Sequence, residues 1–201
     1  SVRYVMTQNV TTDHGLKTST ILRRYMNLPK FVDLLYSKTL YFQRADGFSD
    51  RFEGALTPSM RDAMDRGKKD GTTKLSANDY YRRCRVGNYV SCWSIGARDN
   101  MALWQLYGGL KSCVAITTTV EKLINIASTW DETPLIHKVE YIDHVKSPDM
   151  ILGHYHEMLR YKHESYGYEN ELRIIIPRQG KDWEKNHPYI RLPVQNLGDL
   201  V

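Results

Sequence analysis

Cysteine is scarce and scattered. Cys84, Cys92 and Cys113 are the only three among 201 residues. An odd number at wide spacings, with no Cys-x-x-Cys pair, excludes a disulfide framework and a zinc ribbon and leaves small buried thiols. No apolar run approaches the ~20 residues of a helical membrane span. Residues 1–8 lack the apolar core of a signal peptide. A cytoplasmic chain with no membrane contact is therefore expected. There is no internal repeat, no low-complexity tract and no Gly-x-Gly-x-x-Gly or Gly-Lys-Ser loop, which disfavours dinucleotide-fold and kinase-like readings. His154 and His156 lie two apart on an expected helix, where they would diverge by about 200°, so no metal site is expected.

What is present is an ordinary globular composition, 41% hydrophobic and 25% charged, enough to bury one core. The net charge of +5 permits an anionic partner, either a small molecule or cofactor bearing phosphate or a nucleic acid.

Read in order, the chain predicts an α+β fold. Residues 1–17 are polar and without periodicity, which predicts an extended or loosely ordered arm. Ile21 to Tyr25 predicts a strand. Asn27 then caps, and Pro29 opens, a helix through Tyr36. Thr39 to Phe42 predicts a short strand, and Asp46 to Gly54 a turn-rich loop anchored by Phe48 and Phe52. Residues 55–87 form a basic helical insertion, broken near Gly67 to Gly71. Its Arg61, Arg66, Lys68, Lys69, Arg82 and Arg83 are a solvated face in the plainer reading and a nucleic-acid surface in the sharper one.

Beyond it the pattern predicts a strand at 88–95, a helix at 100–107 capped by Asp99, a strand at 112–118, a helix at 120–127, a long strand from Pro134 to Asp143, a helix from Pro148 to about Tyr161, and a last strand at 189–194. Strands interspersed with helices, without strict alternation, imply a mixed or antiparallel sheet flanked by helices in a single domain over 1–201.

One stretch stands out: Tyr166-Gly-Tyr-Glu169-Asn-Glu171-Leu-Arg173-Ile-Ile-Ile-Pro177. The branched run predicts a strand, and its period of two puts Glu169, Glu171 and Arg173 on one face and Leu172, Ile174 and Ile176 on the other. The plain reading of that polar row is a surface ion-pair ladder worth about 0–1 kcal/mol. The sharper reading is a site.

Other segments favour the sharper one. Arg24-Tyr25, Leu40-Tyr-Phe, Asp50-Arg-Phe-Glu53, Cys92-Trp-Ser94 with Trp104 and Tyr107 behind it, Val114-Ala-Ile116, and Lys162 through Glu169-Asn-Glu171-Leu-Arg173 together resemble a bacterial family known as domain of unknown function 2971, over roughly Leu22 to Pro177. The family's usual Asp-Pro-Phe-Glu is Asp50-Arg51-Phe52-Glu53 here. The family name implies no activity.

A looser resemblance, to the ADP-ribosyltransferase-like superfamily, does imply one. Arg24, Ser94 and Glu169-Asn-Glu171 follow the order of that superfamily's Arg, strand-end Ser and Glu-x-Glu, although Cys92-Trp-Ser94 replaces its frequent Ser-Thr-Ser. The resemblance implies an ADP-ribosyltransferase-like core that binds NAD and transfers ADP-ribose or hydrolyses NAD, as toxin or defence proteins do.

Cleaving the nicotinamide–ribose bond builds positive charge on the ribose carbon, which a fixed carboxylate stabilises. Glu171 would be that carboxylate, Ser94 would orient it, Arg24 would clamp a phosphate, and Glu169 would orient the acceptor. Trp93 or a nearby tyrosine would stack on nicotinamide, and Tyr25 and Tyr107 would line the cofactor site with it. Glu53, Lys162 and Arg173 are further candidates. Two rivals remain: a nuclease with Glu53, Glu169 and Glu171 as Mg²⁺ ligands, and a non-catalytic nucleic-acid-binding module using the basic insertion.

Overall fold

The computed structural model describes residues 4–146, 150 and 153–201. Its strands are β1 (Tyr4–Thr7), β2 (Val10–Asp13), β3 (Ile21–Asn27), β4 (Thr39–Arg44), β5 (Asn88–Ile95), β6 (Cys113–Thr119), β7 (Leu135–Lys138), β8 (Glu140–Ile142), β9 (Tyr161–His163), β10 (Glu171–Pro177) and β11 (Tyr189–Pro193). Its helices are α1 (Leu28–Ser37), α2 (Pro58–Lys69), α3 (Ala77–Val86), α4 (Met101–Ser112) and α5 (Val120–Ala127).

The main sheet runs β1-β2-β7-β10-β5-β3-β6, with β4 also joined to β5 and carrying β11. Its pairings are antiparallel except β2 with β7. A separate parallel ribbon joins β8 to β9. The fold is α+β, with a mixed, mostly antiparallel sheet flanked by helices.

Along one edge, β5 is shared. Ser94 and Ile95 pair with β3, while Tyr89 and Val90 pair with β4. The sheet therefore splits between β3 and β4, and Ser91 to Trp93 face the gap.

Period-two patterning sets the two faces. Leu172, Ile174 and Ile176 of β10 join Leu22, Met26, Phe42 and Trp93 in the main core, closed by Leu34 of α1 and by Val120, Leu123 and Ile126 of α5. Each such side chain contributes about 1.5–3 kcal/mol by leaving water. The opposite face is buried too, with Val90, Leu135 and Ile175 packing on Ala45 and Leu159. The polar residues of β10 therefore lie between layers and not at a surface.

Local chemistry explains most boundaries. Asn27 accepts the Lys30 amide at the start of α1, with Pro29 in its first turn. Thr57 and Ser76 cap α2 and α3 of the basic insertion, Ser76 through a capping box with Asp79.

Several expectations change. Residues 4–13 form a β1–β2 hairpin and not a loose arm. Val10 is fully buried, and Asp13 accepts hydrogen bonds from Arg160 and the Lys138 amide, which pins the hairpin against β7. Asn100, not Asp99, caps α4 by accepting the Ala102 and Leu103 amides, because Asp99 is drawn into an ion pair with Arg23.

The strand expected over 134–143 breaks at Val139. β7 stays with β10, whereas β8 turns away to β9. Of the helix expected from Pro148, residues 148–149 and 151–152 lie outside the described residues. Residues 155–160 form a 3₁₀ turn, and Tyr161 already belongs to β9, since pairing with β8 draws the backbone into an extended course.

Candidate functional site

Three neighbouring strands bring the polar residues into register. Glu171 lies opposite Ser94, and Arg173 opposite Cys92. Arg23 lies opposite Ser94 from the other side. Cross-strand partners share a face, so Arg23, Ser94 and Glu171 stand in one row. Arg24, the next residue, faces the other way with Trp93. Its guanidinium carbon is 5.6 Å from the Trp93 ring centroid, and its Nη2 donates to the Tyr41 carbonyl at 3.0 Å, across the split between β3 and β4.

The carboxylates belong to a closed network. Glu53 is 3% exposed, Lys162 6%, Glu169 8%, Glu171 6% and Arg173 1%, which replaces the expected surface ladder with a buried cluster. Arg173 donates from both terminal nitrogens to Glu53, at 2.7 and 2.9 Å, from Nε to Glu171 at 2.7 Å, and from Nη1 to the Leu159 carbonyl. Lys162 donates to Glu171 at 2.7 Å and to Glu169, and lies 3.5 Å from Glu53. The β8–β9 ribbon delivers Lys162, and also Tyr141, whose hydroxyl accepts the Glu171 amide at 2.8 Å. Lys162 is thus a buried strand residue.

Glu169 precedes the strand instead of lying in it. It ends a 3₁₀ turn, and Asn170 then adopts a left-handed conformation, φ 43°, which asparagine tolerates. This bend lets Glu169 and Glu171 reach the same ammonium. Ser94 donates to the backbone carbonyl of Glu169 at 2.8 Å and not to a carboxylate, so it fixes the turn that presents Glu169.

Three carboxylates face two cations, so charge balance favours one extra proton. Burial raises the Glu169 carboxyl, and its hydrogen bond with Glu171 raises it further, against Lys162. Burial also acts to raise Glu171, but Arg173, Glu169 and Lys162 outweigh it and hold Glu171 well below the usual carboxylate range. The two carboxyls are thus shifted in opposite directions, Glu169 towards its protonated form and Glu171 towards its ionised form, and they titrate as a pair. Burial acts to lower the Lys162 ammonium, yet Glu171 and Glu53 raise it.

Glu169 and Glu171 border a cavity of about 680 Å³ opened by the split between β3 and β4. Glu169, Glu171, Ser94 and Tyr107 line one part, Arg24 and Cys92 another, and Lys30, Asp33, Tyr41 and Arg191 a third. Arg24 has no carboxylate partner among the described residues, and burial lowers its guanidinium.

Trp93 is 1% exposed, with Arg24 at its ring, so a stacking role on nicotinamide does not suit it. Tyr107, 41% exposed, is the available aromatic. Burial raises its hydroxyl, followed by Cys92 and the two glutamates. Tyr25 is buried, and its hydroxyl accepts the Asn100 amide, while Asn100 donates onward to the Tyr168 carbonyl. That tie between β3, α4 and the turn before Glu169 was signalled in the sequence only by an Asx residue ahead of a helix.

The basic insertion lies outside this cavity's lining. Lys68 pairs with Asp79 and Arg82 with Glu184, and Arg82 and Arg83 both lie 5.5 Å from the Trp183 ring. Arg61, Arg66 and Lys69 are exposed. Among the described residues no group of three or more His, Cys, Asp or Glu side chains could hold a metal ion, and no helix is long and apolar enough to cross a membrane.

Residues 103–174 match the model of a family described as Protein of unknown function (DUF2971). The chain resembles that family. The DUF2971 match takes in Tyr107, Lys162, Glu169, Glu171 and Arg173, which is the network without Glu53. It leaves Arg24, Trp93 and Ser94 outside, and is narrower than the span of motifs from Leu22 to Pro177. No curated protein and no solved structure matches the chain.

Proposed function

We propose that this chain binds NAD in the cavity between β3 and β4 and cleaves its nicotinamide–ribose bond, passing ADP-ribose to an acceptor or to water on an ADP-ribosyltransferase-like core. The observation that carries the reading is the pairing within one cavity of a carboxylate fixed by Lys162 and Arg173, Glu171, with a half-buried guanidinium that has no carboxylate partner among the described residues, Arg24. A ribose next to a pyrophosphate needs that pair. The carboxylate offsets the positive charge that builds on the ribose carbon as the bond breaks, and the guanidinium neutralises phosphate.

The bonding electrons leave with the nicotinamide nitrogen, and the acceptor attacks the ribose carbon and sheds its proton to solvent. Glu169 orients the acceptor through a hydrogen bond. Tyr107 supplies the face against which nicotinamide stacks. Arg23, on the same face as Ser94 and Glu171, is held by Asp99 and supports the wall.

The two rival readings draw less support. Each carboxylate that a Mg²⁺-dependent nuclease would use is already bonded to Lys162 or Arg173. Of the cations that a nucleic-acid-binding module would use, Lys68 and Arg82 are paired.

The test is nicotinamide release from NAD by the purified protein, with Glu171→Gln alongside and a thermal melt to check folding. Release that falls by about 10²–10³ in the variant is expected, the scale of one lost transition-state partner. A folded wild-type protein that neither binds NAD nor releases nicotinamide overturns the reading.

A further inference from the structure

The part of the cavity farthest along β4 has a chemistry of its own. Cross-strand pairing sets Arg191 of β11 opposite Tyr41 of β4. Leu40, Phe42, Ile190 and Leu192 point the other way, into the core, so Tyr41, Tyr189 and Arg191 share the outer face of this ribbon. Tyr41 and Tyr189 stack with ring centroids 5.3 Å apart and planes 25° from parallel. The Arg191 guanidinium carbon lies 5.9 Å from one ring and 6.0 Å from the other. Arg191 Nη1 donates to Asp33 Oδ2 of α1 at 2.7 Å, which fixes the flat cation.

Tyr41, Arg191 and Asp33 all line the cavity. The Tyr41 carbonyl is also the group that holds Arg24, so the flat platform adjoins the guanidinium that lacks a carboxylate. Exposed Lys30 lines the same part of the cavity.

We propose that this platform is a nucleobase subsite: the base of a bound nucleotide stacks on Tyr41 and the Arg191 guanidinium, Asp33 accepts from its amino or ribose groups, and the phosphates reach Arg24 and Lys30. Stacking on an aromatic face tolerates any base, and a hydrogen-bonded rim selects among them. The inference rests on the cavity's taking a nucleotide, as in the NAD reading, but not on any bond being cleaved. It places the adenine of NAD at the β4–β11 end and the nicotinamide ribose at Glu171.

Calorimetric binding of ADP, inorganic pyrophosphate and nicotinamide mononucleotide to the whole chain tests it. ADP should bind more tightly than pyrophosphate. Tyr41→Ala should weaken ADP on the order of tenfold while leaving pyrophosphate and nicotinamide mononucleotide unchanged, and Tyr41→Phe should restore ADP binding. If Tyr41→Ala does not fold, Arg191→Leu and the wild-type difference between ADP and pyrophosphate decide.

ADP binding no tighter than pyrophosphate, or Tyr41→Ala and Arg191→Leu without effect on ADP, overturns the subsite. Tyr41-dependent ADP binding without nicotinamide release would sink the proposed chemistry and leave the subsite standing. Nicotinamide release with Tyr41-independent ADP binding would do the reverse.

Discussion

Two arginines stand on either side of β5 in the split sheet, Arg173 buried and Arg24 half-buried, and they differ in their partners. Arg173, on β10, is bonded to two carboxylates and a carbonyl. Arg24, on β3, is bonded to a carbonyl and lies against an indole, with no carboxylate among the described residues. The first is a completed interaction whose partners hold one another in place. The second is half-buried and lines a cavity.

The largest effect should come from breaking the completed side. Arg173→Met strands Glu53 and Glu171 without their guanidinium, and denaturant unfolding should show a loss of about 3–5 kcal/mol, the usual result of removing one partner from a buried ion pair. Arg24→Met should behave in the opposite way. It removes a charge without orphaning another and forfeits one hydrogen bond of about 1 kcal/mol, so stability should stay within about 1 kcal/mol of wild type while pyrophosphate binding is lost. Equal destabilisation by the two substitutions would erase the distinction between them.

The smallest effect separates the two glutamates. Glu169 is raised by folding, so its contribution is complete below its unfolded value and is lost as pH rises through its folded value. Glu171 is lowered, so its contribution is present above its unfolded value and is lost as pH falls through its folded value. Melting temperature should therefore decline in wild type as pH rises from the ordinary carboxylate range to about 8. Glu169→Gln, which cannot ionise, should remove that decline and leave the loss at lower pH unchanged. An identical decline over this window in the variant would show that another group titrates there.

Some of this was legible beforehand. Ile174 to Ile176 before Pro177 marked β10, and the alternation through Leu172 assigned its core face correctly. Asn27 with Pro29 marked the start of α1, and the break near Gly67 to Gly71 marked two helices. The same alternation placed Glu169 in a strand that begins only at Glu171, because a single left-handed asparagine redirects the chain without any change in residue type that periodicity detects. Asp99 and Asn100 are equally good caps in isolation, and only the guanidinium of Arg23, more than seventy positions away, decides between them.

The sequence by itself determined the direction of side chains along each element, since the 2.0 and 3.6 periods follow from backbone dihedrals fixed within a few residues. The tertiary structure alone decided which charges would meet. Glu53 reaches Arg173 across 120 positions, Lys162 arrives on a strand made extended by pairing with β8, and the sheet splits because β5 divides one edge between β3 and β4. Register between distant strands carries no local signal. Whether an arginine on this sheet becomes a strut depends on what that register sets beside it.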